Sequence, residues 1–146
     1  MLAAQKAAAY TYQERGEAEP LPRKGSKKKS WFYYARAGGS ASGDSNKATI
    51  WGWGKLAKIA RRNTKFQPVF YEARFNHTYS RYREALKQKQ SADKKKLLQR
   101  AKDEIRLMYL SYSELGGATW RSKFESLLRD IQNDLRQPPI GFEEFQ

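Results

Sequence analysis

Cysteine is absent from this chain of 146 residues, and with it go disulfides, thiolate metal sites and thiol nucleophiles. Histidine occurs once, as His77, so chemistry built on a pair of histidine ligands is excluded. No stretch approaches the roughly 18 consecutive apolar residues of a membrane span. The alanine-rich opening does not read as a signal peptide, because Gln5 and Lys6 interrupt its apolar run. Nor does it fit an organelle presequence, because Glu14, Glu17 and Glu19 fall within the first twenty residues. The expected compartment is the cytoplasm. Also missing is any β-branched, alternating pattern of the kind that makes strands.

What remains is aromatic and basic. Phe, Trp and Tyr make up 14% of the chain, more than a disordered sequence carries. Twenty-nine Lys and Arg face 15 Asp and Glu, a formal charge of +14 that favours polyanions or acidic protein surfaces. The charge is uneven: residues 1–20 carry two bases and three acids, residues 21–65 twelve and one, residues 66–112 eleven and five, and residues 113–146 four and six. The positive field belongs to the middle of the sequence.

Punctuation divides the chain. Residues 1–16 read as an alanine-rich helix ended by Gly16. Residues 17–48 read as a linker: Pro20 and Pro22 oppose helix, Arg23, Lys24, Lys27, Lys28 and Lys29 repel one another, and Gly38 to Asn46 is rich in Gly and Ser. Within it Trp31, Phe32, Tyr33 and Tyr34 form an aromatic cluster, read as an anchor that folds back onto the first helix of the next region.

Residues 49–136 predict four helices. Thr49 caps the first, which runs to Arg62 and buries Trp53, Leu56, Ala57 and Ala60. The second starts at Pro68 and runs to Gln88, with Tyr71, Phe75, Tyr79, Tyr82 and Leu86 as its main stripe and Phe70, Ala73 and His77 as a second strip. Ser91 or Asp93 caps the third, whose face is Leu97, Leu98, Ala101, Ile105, Met108, Tyr109 and Tyr112. After Gly116-Gly117, Thr119 caps the fourth, which buries Trp120, Phe124, Leu127, Leu128, Ile131 and Leu135 before Pro138-Pro139. Residues 137–146 are left as a tail. The fold class is all-α, built of antiparallel helical hairpins.

Glu72-Ala73-Arg74-Phe75-Asn76 with Tyr79 and Tyr82, then Leu97, Leu98, Ala101 and Ile105, then Leu115-Gly116-Gly117 before Trp120, resembles tetratricopeptide-repeat proteins over about residues 49–136. The sequence departs from that pattern in having glycines at the turn proline and a longer link from Lys87 to Asp93. The resemblance implies a scaffold whose concave face holds a peptide or protein segment, without catalysis.

Enzymatic motifs are weak. Gly38-x4-Gly43 is followed by Asp44 and Ser45 where a phosphate loop needs Lys and a hydroxyl. Ser26-x-x-Lys29 and Ser91-x-x-Lys94 lack a second motif. His77 has Glu72 five residues back, on a diverging helix direction, and reads as a packing residue. No metal or cofactor is expected. The candidate contacts are instead Arg23, Lys24, Lys27, Lys28 and Lys29, then Lys55, Lys58, Arg61 and Arg62, then Lys94, Lys95 and Lys96. Lys87, Lys89, Arg100 and Lys102 crowd the same turn as the last group. Two functions follow: a non-enzymatic scaffold binding an acidic protein or peptide, or a basic accessory protein bound to RNA, whose phosphates the cations would track while Trp31 to Tyr34 stacked on bases.

Overall fold

The computed structural model describes residues 2–18, Tyr34, Ala37 and 52–146. Arg23, Lys24, Lys27, Lys28, Lys29, Trp31, Phe32, Tyr33, Thr49 and the Gly/Ser segment lie outside the described residues. The described residues are all-α. Five helices account for most of them: α1 (Leu2–Ala18), α2 (Trp53–Ala60), α3 (Gln67–Leu86), α4 (Ser91–Ser111) and α5 (Ala118–Asp134). Short 3-10 turns cover Thr64–Phe66 and Gly141–Phe145, and no strand occurs among the described residues.

Side-chain pairs fix the directions of the helices. Phe70 meets Tyr112, Arg74 meets Met108 and Thr78 meets Glu104, so α3 and α4 advance in opposite senses one turn at a time. Phe75 packs on Phe124 and Tyr82 bonds Asp134, so α5 runs in the same sense as α3. Lys6 reaches Glu72, Gln13 reaches Asn76 and Glu17 reaches Tyr79, which makes α1 parallel to α3 as well. Helix α3 is therefore the central rod, with α1, α2, α4 and α5 around it.

Local chemistry explains most boundaries. Pro68 sits in the first turn of α3, where its missing N–H is no loss. The α2–α3 link is pinned by Asn63, whose side chain accepts from the Lys65 amide. Helix α5 starts one residue before Thr119, because Gly117 at φ 108° serves as its N-cap. Gly116, at φ 86°, is equally required: a Cβ there would lie 2.5 Å from the Tyr71 ring. Helix α4 begins at Ser91 with no side-chain cap, so neither Ser91 nor Asp93 does what the sequence suggests.

Three further expectations are corrected. Helix α1 does not stop at Gly16 but continues to Ala18. Gly16 is buried, and a Cβ on it would come within 2.7 Å of the Tyr34 ring, so the glycine permits close approach rather than ending the helix. The C-terminal segment is not a free tail. Phe142 is buried and stacks on Tyr109 with ring centroids 4.8 Å apart, under the Arg121 guanidinium. Lys102, expected in an exposed basic strip, is buried there, held by Glu144 and by Gln137 at 2.7 Å. Burial alone would raise the Glu144 pKa, but hydrogen bonds from Lys102 and Gln132 leave it below the usual carboxylate value.

The interior is partly polar. Trp53 Nε1 donates to Gln13 Oε1 (2.9 Å), Gln13 Nε2 donates to Asn76 Oδ1 (3.2 Å), and the Tyr10 hydroxyl donates to Glu72 Oε1 (2.8 Å). This chain ties α1 to α2 and α3, and satisfaction of nearly every member is what makes such burial tolerable.

Candidate functional site, a cation-rimmed groove between three helices

Residues 52–71 carry Lys55, Lys58, Arg61, Arg62 and Lys65 and no acid. Helix α2 buries Trp53, Leu56, Ala57 and Ala60, so its cations must point outward, and Lys55, Lys58, Arg61 and Arg62 are all exposed. Where α2 diverges from the α3–α4 hairpin it leaves a groove of about 390 Å³. Its floor is apolar, formed by Ala57, Phe70, Met108 and Tyr112. Lys58, Arg61 and Arg74 line it from α2 and α3, and Leu107 of α4 forms a lip.

Arg74 is the group around which this groove is organised. Its Nε donates to Met108 Sδ at 3.2 Å, and a thioether is a weak acceptor. Among the described residues no carboxylate pairs with it, in contrast to Arg81, which Glu104 takes, and Lys102, which Glu144 takes. Burial, reinforced by the nearby Arg61 charge, pushes the Arg74 pKa below the ordinary arginine value. The guanidinium is nonetheless charged at any physiological pH, because arginine starts so high. A half-buried, always-charged fork beside an apolar floor has the chemistry to accept an anion.

The remaining polar cluster does other work. His77 Nδ1 lies 3.4 Å from Glu104 Oε2, but that carboxylate already accepts from Arg81 and Thr78, and the nitrogen makes no hydrogen bond. Burial, with Arg81 and Arg74 adding to it, pushes His77 down to about 3, so the ring is neutral. Glu72 pairs with Lys6 and Tyr10 instead of orienting the imidazole. Among the described residues no group of His, Asp or Glu could hold a metal ion, and no helix is long and apolar enough to cross a membrane.

The basic residues singled out in the sequence are not one surface. Lys58 and Arg61 line the groove, while Lys94 and Lys95 border a second cleft of about 440 Å³ with Ser91, Leu98, Asp134 and Arg136. The two lie at opposite ends of α4, roughly 20 Å apart at 1.5 Å per residue. Lys55 and Arg62 sit on the outer side of α2, and Lys96 is exposed on α4.

Tyr34 belongs to neither place. It is fully buried against Gly16 of α1, with the Arg83 guanidinium 5.8 Å from its ring centroid and Arg83 Nε donating to its hydroxyl (3.4 Å).

Sequence reasoning missed Arg74 and Leu107 as site residues. Leu107 and Leu110 had a signal: two leucines three apart, off the apolar stripe of α4, interrupt its polar side. Arg74 had none, because its nearness to Arg61 and Met108 comes from three different helices. Compared with family models, curated proteins and solved structures, the chain matches nothing in any of the three.

Proposed function

We propose that this chain is a non-enzymatic helical scaffold that binds a protein partner of acidic character on the face shared by α2 and the C-terminal half of α4. The observation that carries this reading is the exposure of Leu107 and Leu110, at 60% and 61%, beside the acid-free cationic side of α2. Leucines that far open on a helix otherwise well packed are candidates for contact, and cations around them select an acidic complement. In the same reading the α3–α4 hairpin, with α5 laid parallel to α3 after the Leu115-Gly116-Gly117 turn, is a unit of tetratricopeptide-repeat type.

An RNA target is the second reading. It draws on Lys55, Lys58, Arg62 and Lys65, a run of cations without acids. Against it stands Tyr34, whose ring has no free face for a base.

The test is a pull-down with the full chain after nuclease treatment, repeated with Leu107→Glu/Leu110→Glu. Partner retention that survives nuclease and fails in the double variant supports the protein reading. Loss of every partner on nuclease treatment, with steeply salt-dependent affinity for generic single-stranded RNA, overturns it.

A further inference from the structure

We infer that the groove between α2, α3 and α4 captures the C-terminal residue of an acidic peptide, its carboxylate on Arg74 and its apolar side chain on Leu107 and Met108. This rests on the protein-binding reading above and names what that face recognises.

The argument is geometric. Arg74 Nε is within 3.2 Å of Met108 Sδ, so the cation and the apolar floor are in contact. A ligand must therefore present its anion and its apolar group almost from one point. In an extended ligand the nearest side chain on the same face as an internal acid belongs to the residue two positions away, about 6.6 Å along the chain. In a helical ligand it is three or four residues away, about 5–6 Å between Cβ atoms. A C-terminal residue, by contrast, carries carboxylate and side chain on the same Cα.

The donors fit as well. No hydrogen bond among the described residues occupies the two terminal nitrogens of Arg74, which leaves a planar fork suited to bidentate carboxylate binding. Lys58 and Arg61, which are exposed and make no ion pair among the described residues, flank it and suit acids upstream in the peptide. About 390 Å³ is at the small end of ligand sites, room for a terminus rather than a long segment.

The probe is an N-terminally labelled heptapeptide with three glutamates upstream of a C-terminal leucine, made as the free acid and as the carboxamide. Titrated into the full chain by fluorescence anisotropy, the acid should bind at least about tenfold more tightly than the amide, the worth of one charge-assisted pair. Arg74→Lys keeps the charge but loses the fork, and should narrow that ratio without changing the melting temperature. Arg62→Ala should leave the ratio intact. The Arg74 Nε–H resonance should shift with the acid and not with the amide. Equal binding of acid and amide overturns the inference, as does a ratio that survives Arg74→Lys. If both peptides bind equally and both are lost in Leu107→Glu, the docking face stands and terminal capture falls. If neither binds at millimolar concentration, terminal capture also falls, and the nuclease-treated pull-down decides the wider reading separately.

Discussion

Helices α3 and α5 are similar in length and run in the same sense, yet one wears its packing on its sequence and the other hides it. Helix α5 has one buried side, with Phe124, Leu127, Leu128 and Ile131 at steps of three and one and Gln132 as its single polar member, as expected of a rod on the outside of a bundle. Helix α3 is enclosed by four others, and its buried positions are Phe70, Ala73, Asn76, Thr78, Ser80 and Ala85. Half of those are polar. Its conspicuous aromatic stripe is only half-buried, because α5 covers it from one side: Phe75 lies 5.4 Å from Phe124 and Tyr82 bonds Asp134 at 2.9 Å. The lesson is that large side chains mark the widest gap between helices, whereas the tightest seams are lined by small and polar residues that no hydrophobic pattern reveals.

That contrast can be broken most forcefully on α5. Leu128 is wholly buried, and Leu128→Ala should cost about 2–5 kcal/mol in chemical denaturation. Trp120→Ala, although it removes a larger side chain, should cost less than the usual core tryptophan, because Trp120 is only partly buried. Equal losses at the two positions would show that Trp120 is enclosed as deeply as Leu128.

On α3 the prediction has a different form. Asn76→Leu adds apolar volume where the pattern invites it, but it removes the acceptor of Gln13 Nε2 and the donor to the Tyr10 hydroxyl, which now share the Asn76 amide. It should destabilise by about 1–3 kcal/mol, the cost of unsatisfied buried groups. A neutral or stabilising outcome would mean that this network is not what holds α1 in place.

The polar side of α3 also makes a pH prediction. Burial lifts Glu84 to about 7, only partly countered by Arg81 and Arg100. The folded state thus binds its proton more tightly than the unfolded state does. This contribution is full below the unfolded carboxylate value and is lost as pH rises through about 7. Glu84→Gln should therefore stabilise by about 1 kcal/mol at pH 8, allowing for partial exposure, and by little at pH 4.5. His77 acts in the opposite direction, since its pKa of about 3 removes stability as pH falls from the ordinary histidine value toward 3. Thermal melts of the variant at the two pH values separate the effects.

The smallest effect lies at the end of α5. Arg136 holds φ 59°, and the Gln137 amide donates back to the Gln132 carbonyl at 2.9 Å. This is the helix-ending geometry in which glycine is preferred. Arg136→Gly should gain about 0.5–1 kcal/mol, because the left-handed conformation carries no penalty for glycine.

Much of the domain was legible in one dimension. The buried set of α2, Trp53, Leu56, Ala57 and Ala60, follows from spacing alone. Pro68 and Gly116-Gly117 mark helix starts that the backbone respects within a residue or two, whereas α5 ends at Asp134, four residues before Pro138. The candidate site was half legible. Lys58 and Arg61 follow from an acid-free run, but the groove needs Arg74 and Leu107, whose roles depend on how three helices converge. Gly16 was misread for the same reason. A glycine near the end of an alanine-rich run looks like a stop until the ring of Tyr34 is seen resting on it.

From the order of residues alone it follows that the described chain is helical, roughly where its helices divide, and that its middle is positively charged. Periodicity, caps and breakers act over a few residues, so they are written locally. Only packing in three dimensions sets which rod is central, which polar groups are buried, and that no acid among the described residues lines the groove at Arg74. Burial, desolvation and pairing depend on neighbours tens of residues away, and a linear pattern carries no record of who those neighbours are.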